Sequence, residues 1–306
     1  MKQHIAIIAV LLLVVSQNNA VAQEASTNLN VPTMNTRPLV GNDAFIPEGY
    51  SLHLSSAFSP FEQNTSFVYG TMSLGIVGLL EASLTKESAI GTPLGWAEPA
   101  NQLGLRLQVA PQRDNYPAVA LFLNTMLKAQ TEFLGDNDLM PNFPDLYRRG
   151  ILAISYQAKT TTAGVALTTQ LNDFVTLNAS IGTREIVWRQ GWSAYSSDNS
   201  SQKTVDGWTA PLAEQSAYRI DALGGFTFHP LSKLAVIGDV GTIPSMDIDP
   251  SSLTIEATQD FTGAFGVRYY LPVPLTVELY DRWFSSSTLK TFHQIRLGLS
   301  ADIAAQ

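Results

Sequence analysis

The chain has 306 residues, enough for one large domain or two small ones. Apolar residues make up 45% and charged residues 14%. An average soluble domain carries roughly 25% charge, and a disordered chain has fewer aromatics than this one, so global disorder is excluded. A net charge of −8 argues against nucleic acid as a partner, and the lack of cysteine removes disulfides, thiolate chemistry and cysteine metal sites.

Residues 1–22 read as a cleaved signal peptide. Lys2 supplies the charged start, Ile5 to Val15 is an unbroken apolar stretch, and Ala20-Val21-Ala22 presents small residues for cleavage before Gln23. That stretch is too short to cross a bilayer as a helix. Residues 23–48 are then expected as a periplasmic N-terminal segment, and 49–306 as a single β domain.

Past residue 48 the recurring signal is two-residue alternation over segments of about ten residues, not helical periodicity. In chain order the candidate strands are 49–58, 65–73, 76–86, 102–110, 117–126, 150–158, 162–169, 174–182, 184–192, 216–228, 232–240, 259–270, 274–284 and 291–303. The last is the clearest: Ile295, Leu297, Leu299, Ala301 and Ile303 share one face, and Gln294, Arg296, Gly298, Ser300 and Asp302 the other. Pro60, Pro111, Pro117, Pro230, Pro272 and Pro274 fall at or beside the proposed turns, where a missing N–H does no harm.

A soluble antiparallel sandwich and a transmembrane barrel both produce such alternation. Segment length favours the barrel, because soluble strands usually have about 5–6 residues and tilted spanning strands about 9–11. The connections agree. The long ones, 87–101, 127–149, 193–215 and 241–258, all follow odd-numbered strands and so emerge on one side, while those after even strands are short. The expectation is an all-β, closed antiparallel up-and-down transmembrane barrel of about 14 strands, with 12 the next choice and both termini periplasmic. Aromatic residues near strand ends, among them Tyr50, Tyr69, Trp188, Tyr269 and Trp283, suit the two membrane interfaces.

With the leucine and valine faces outward, Glu81, Arg106, Arg184, Arg219, Asp221, Arg268, Glu278 and Arg296 are expected to line the lumen. An arginine facing lipid at the midplane costs about 2–4 kcal/mol, which favours this orientation. Two roles compete: Arg–carboxylate pairs closing a narrow interior, or an electropositive constriction selecting anions. A turn centred on Pro272 would pair residue 268 with residue 276 and leave Glu278 as the diagonal neighbour of Arg268.

Catalytic and metal-binding signals are weak. His53, His229 and His293 have no metal-ligand spacing, and no G-x-S-x-G elbow occurs. His53 shares a strand face with Ser51 and Ser55, and His53 with Asp281 is the one candidate proteolytic pair. Asp136-Asn137-Asp138 opens like a calcium loop, but Pro141 and Tyr147 stand where glycine and glutamate are required. Asp247 and Asp249 read as solvated loop acids. No cofactor and no catalytic or metal residue is assigned.

Leader, periodicity and even strand count resemble the Gram-negative outer-membrane β-barrel superfamily. Within it, Leu29-Asn30-Val31-Pro32-Thr33, Pro47-Glu48-Gly49-Tyr50 and Tyr116-Pro117-Ala118-Val119-Ala120-Leu121 are similar to the YjbH-type barrels associated with exopolysaccharide systems. The resemblance implies an outer-membrane pore or transport accessory for small solutes or exopolysaccharide. Its partners would be outer-membrane lipid and lipopolysaccharide, the barrel-assembly machinery and a polysaccharide. Two alternatives stay open on the sequence: an outer-membrane enzyme hydrolysing lipid or peptide, and a soluble periplasmic β-sandwich binding module.

Overall fold

The computed structural model describes residues 37–47, 49–59, 66–89, 97–113, 116–126, 129–134, 151–195, 204–208, 215–249, 254–271, 273–285 and 292–305. The expected signal peptide and the Asp136-Asn137-Asp138 cluster lie outside them. In chain order the strands are β1 (Tyr50–Ser59), β2 (Ser66–Ile76), β3 (Leu80–Ala89), β4 (Ala97–Ala110), β5 (Ala118–Met126), β6 (Ala129–Leu134) and β7 (Ile151–Asn172). They continue as β8 (Val175–Tyr195), β9 (Thr204–Trp208), β10 (Gln215–Leu231), β11 (Leu234–Asp249), β12 (Thr254–Tyr270), β13 (Leu275–Ser285) and β14 (Phe292–Ala305).

Every pairing is antiparallel, and β1 pairs with β14 from Tyr50↔Ala305 to Phe58↔Leu297, which closes the ring. The wall has 12 staves. β5 and β6 both pair with β7 and form one interrupted stave. β9 and β10 both pair with β8 and form another. The expected 14 strands therefore give way to 12. The segments 150–158 and 162–169 are one strand, β7, and 174–182 and 184–192 are one strand, β8. Lys159-Thr160-Thr161 and Thr183, the expected turns, hold neither proline nor glycine, and both stay in the ladder as Lys159↔Val187, Thr161↔Glu185 and Ala163↔Thr183. Polar side chains interrupted the apolar pattern without interrupting the backbone.

The same cause shortens the expected long connections. β11 and β12 remain paired out to Asp249↔Thr254, so Asp247 and Asp249 belong to a strand and not to a loop. Apolar alternation ends where the apolar belt ends, but the hydrogen-bonded ladder runs on beyond it. β7 has 22 residues and β8 has 21, about twice what a tilted strand needs to cross a bilayer.

Burial is inverted relative to a soluble protein. On β14, Ile295, Leu297 and Leu299 are 43–47% exposed, while Gln294, Arg296 and Ser300 between them are 0–3% exposed. Leu54, Met72, Leu74, Leu103, Leu105, Leu167, Ile220, Phe265 and Leu279 continue the exposed apolar belt around the ring. In water such a belt would be far larger than the few hundred Å² of apolar patch a soluble monomer tolerates, whereas lipid accepts it.

Candidate functional site: the barrel interior and its N-terminal plug

Residues 37–47, part of the segment expected to precede the barrel, lie against the inner wall near the end that carries the short turns. Backbone and side chains of this stretch are held by staves all around the ring. The Leu39 and Val40 N–H groups donate to Asp239 Oδ2 on β11, at 2.5 and 3.2 Å. Ala44 N–H donates to Thr168 Oγ1 on β7 at 2.8 Å, and that hydroxyl donates in turn to Asn178 Oδ1 on β8 at 2.9 Å. Arg268 on β12 donates from Nη2 to the Arg37 carbonyl at 2.9 Å. Fully buried Ala44 packs among Ala118, Ala120, Phe122 and Ala166, where small wall residues leave room for the inserted backbone.

Glycine makes similar room. A Cβ on Gly225 would stand 2.7 Å from the Gly238 carbonyl and 3.0 Å from Asp239 Cγ. Only glycine there lets the Asp239 carboxylate take the position from which it accepts Leu39 and Val40.

The electrostatics are those of paired charges. Glu81 and Arg106 are direct cross-strand partners on β3 and β4, and Arg106 Nη2 lies 2.7 Å from Glu81 Oε1. The plug adds one charge of each sign. Arg37 reaches Glu81 through Nη1 at 3.1 Å and Nη2 at 2.5 Å, and Asp43 takes Arg106 as its salt-bridge partner. Arg106 Nη1 also donates to the Asp43 carbonyl at 3.0 Å. Burial opposes the Arg37 charge, but the Glu81 carboxylate more than compensates, holding its pKa above the ordinary arginine value.

The remaining charged positions form separate groups. Arg268 and Glu278 face each other directly across β12 and β13, with Nε to Oε1 at 2.6 Å. This replaces the diagonal arrangement expected from the sequence. The β12–β13 link is wider than a turn centred on Pro272, and Tyr270 pairs with Thr276 before Leu271 N–H reaches the Leu275 carbonyl. Arg184 pairs with Asp221 and donates from Nε to Thr162 Oγ1 at 3.0 Å. Arg296, fully buried, donates from Nε to Gln294 Oε1 at 2.7 Å. Arg219 is half-buried and donates to the carbonyls of Tyr218 and Ala257.

His53 and Asp281, the candidate proteolytic pair, are not brought together. His53 Nδ1 bonds Asp302 at 2.7 Å near the short-turn end. Asp281 is level with Ile295 and bonds His293 at 2.9 Å. No group of three or more metal-ligating side chains occurs among the described residues. Sequence reasoning missed the plug's own contributions, Arg37 and Asp43, and the wall residues Asp239, Thr168 and Asn178 that grip it. The one available signal was a charged pair, Arg37 and Asp43, in a segment with no strand alternation directly ahead of the first strand.

No family model matches the sequence, and no curated protein matches it. Solved structures do resemble the chain. The translocator domain of the autotransporter NalP from Neisseria meningitidis is 10% identical with a TM-score of 0.45, covering 82% of this chain and 86% of that one. The Pseudomonas putida toluene transporter TodX is 12% identical with a TM-score of 0.48, covering 84% and 89%. The NanC porin is 12% identical with a TM-score of 0.42, covering 82% and 98%. At these scores the likenesses carry no argument about activity. The closed barrel rests on the strand ladder itself.

Proposed function

We propose that this chain is an exported outer-membrane β-barrel that passes small polar solutes, and that its periplasmic mouth is closed at rest by residues 37–47. The observation that carries the reading is the inverted barrel: an apolar belt outside, buried ion pairs inside, and a polar-anchored segment of the same chain across the interior. Glu81, Arg106, Arg184, Arg219, Asp221, Arg268, Glu278 and Arg296 are read as lumen-lining. Of their two candidate roles, paired closure is favoured over an anion filter, because Arg106, Arg184 and Arg268 each have a carboxylate partner. Lipid and lipopolysaccharide would meet the belt, and the barrel-assembly machinery would insert it. An exopolysaccharide cargo, which the YjbH resemblance implies, has nothing in the interior that favours it over small solutes.

The plug is held by its polar contacts and by the packing of Ala44 among Ala118, Ala120, Phe122 and Ala166. The wall pair Glu81–Arg106 is complete without it, so the double variant Arg37→Ala, Asp43→Ala removes plug contacts and leaves no wall charge alone. Hydrogen bonds to charged groups contribute about 1.5–3 kcal/mol each, so every anchor lost should raise the open fraction roughly 10- to 100-fold. Single-channel recording in planar bilayers tests this. The full chain should rest mostly closed and the double variant mostly open. Equal conductance in both, with normal assembly, would remove the plug from the reading.

A further inference from the structure

The carboxylates of the inner wall are not all held alike. Glu81, Asp221 and Glu278 each have a wall arginine as salt-bridge partner, respectively Arg106, Arg184 and Arg268. Among the described residues Asp239 has no such partner. It is 4% exposed, and its Oδ2 accepts the Leu39 and Val40 N–H groups of the plug at 2.5 and 3.2 Å. Its neighbours on the inner face bring no charge. Gly225 and Ala264 stand directly across from it on β10 and β12, and Ile237 and Gly241 lie one same-face step away along β11. When residues 37–47 leave, the three arginine-paired carboxylates keep their partners, while Asp239 loses both of its donors.

A recessed carboxylate without a partner is costly. A solute that brings positive charge and N–H donors offsets that cost, and a neutral or anionic solute does not. Two N–H groups converging on one carboxylate oxygen are also what an ammonium group can present. A second group at the same place lacks a partner. Between plug and wall lies an open gap of about 150 Å³, bordered by Gly41 and Asn42 of the plug and by Asn178, Ser180, Gly225 and Asp239 of the wall. With the plug seated it is too shallow for a solute. Asn178, on β8, faces Asp239 across Gly225 and is 6% exposed. Its Oδ1 accepts the Thr168 hydroxyl, and its Nδ2 has no hydrogen-bond partner among the described residues. A buried donor without an acceptor calls for an oxygen.

We infer that Asp239 and Asn178 form a recognition site for a small cation, a protonated amine with an acceptor oxygen beside it, and that this solute competes with the plug for Asp239. The inference rests on the proposed closure by residues 37–47 and names the class of solute that relieves it. Asp239 takes the ammonium N–H donors in place of Leu39 and Val40, and Asn178 Nδ2 donates to the oxygen. Gly225 between them leaves free the space a Cβ would fill. Because the solute binds only the unplugged form, it raises the ratio of open to closed barrels by mass action.

The test records the full chain in planar bilayers at neutral pH and constant ionic strength, with sodium chloride exchanged for ethanolamine hydrochloride or for choline chloride. Both organic cations carry a hydroxyl, but only protonated ethanolamine has N–H donors. At ten times its dissociation constant ethanolamine should raise the open-to-closed ratio about tenfold, and choline should leave it at the sodium value. Propylamine keeps the ammonium group and lacks the oxygen, so it should need a concentration about fivefold higher, as one lost neutral hydrogen bond implies. Asp239→Asn, close in shape, should rest more open and no longer respond to ethanolamine. Equal responses to choline and ethanolamine would reduce the effect to bare charge and overturn the site, as would a full response in Asp239→Asn. Equal potency of propylamine and ethanolamine removes Asn178 from it. Should Asp239→Asn fail to assemble on a heat-modifiability gel, the comparison of ethanolamine with choline on the full chain decides by itself. The double variant Arg37→Ala, Asp43→Ala separates this inference from the reading it rests on. A full chain that conducts as freely as the double variant overturns the closure, whereas one that rests closed beside an open double variant and ignores ethanolamine overturns the inference alone.

Discussion

Arg268 and Glu278 show how a buried charge is tolerated in this wall. Both are at most 5% exposed, they are direct cross-strand partners, and the Arg37 carbonyl takes a further guanidinium N–H. Removing one member strands the other, which in buried pairs costs about 3–5 kcal/mol, while replacing both with apolar residues of similar volume is close to neutral. Glu278→Ala should therefore lower the urea midpoint of the folded barrel in detergent far more than the double variant Arg268→Met, Glu278→Leu. Equal losses would mean that the pair stabilises by more than mutual compensation. Gly164 sets a different kind of limit. A Cβ there would stand 2.6 Å from Gly182 Cα and 2.7 Å from the tip of the Phe122 ring. Gly164→Ala is expected to reduce the assembled fraction on a heat-modifiability gel, and Phe122→Ala to restore it only in part, since the backbone clash remains.

At the scale of the strand, continuity of β8 is what separates 12 staves from 14. Thr183 lies mid-strand, opposite Ala163 on one side and Ile220 on the other. Proline at this position would delete a ladder donor and leave its acceptor unsatisfied, at about 1–3 kcal/mol. Proline is tolerated in a turn. Thr183→Pro should thus abolish the heat-modifiable form, and retention of that form would restore a turn at 183 and the larger strand count. The reason the sequence misled here is specific. The outward-facing row on β8 passes from Ile181 to Thr183 and Glu185, with Val187 alone apolar before Arg189, and on β7 Lys159 and Thr161 likewise stand on the outward row. Polarity changes because the strands leave the apolar belt, not because they turn.

For the molecule as a whole, the topology has a direct test on intact cells. Tags inserted within 135–150 and 196–203, which link strands at the end opposite the termini, should be accessible without permeabilisation. Detection only after permeabilisation would reverse the orientation. The plug has its own test, made clean by the absence of native cysteine. Ala44 N lies 2.8 Å from Thr168 Oγ1, so Ala44→Cys with Thr168→Cys should form a disulfide that holds conductance low even when Arg37 and Asp43 are both replaced by alanine. Reduction should release it. High conductance in the oxidised, cross-linked protein would show that current passes around the plug.

The sequence by itself determined the class of fold, because it follows from a local rule: side chains alternate across a strand, so an apolar row and a polar row recur on opposite faces. Leu297 and Arg296 were separable on those grounds alone. Strand ends were legible only as far as the apolar row extended. Three things needed the tertiary structure. Register brought Arg268 directly opposite Glu278, since one residue more or less in the turn shifts every partner. The seat of residues 37–47 depends on contacts with Glu81, Thr168, Asp239 and Arg268, up to 231 positions away in sequence, and no local pattern encodes such distances. Between β10 and β11 the ladder stops at Ala222↔Thr242, a break that exists only as pairs that fail to form among the described residues, and each strand, taken alone, alternates much like its neighbours.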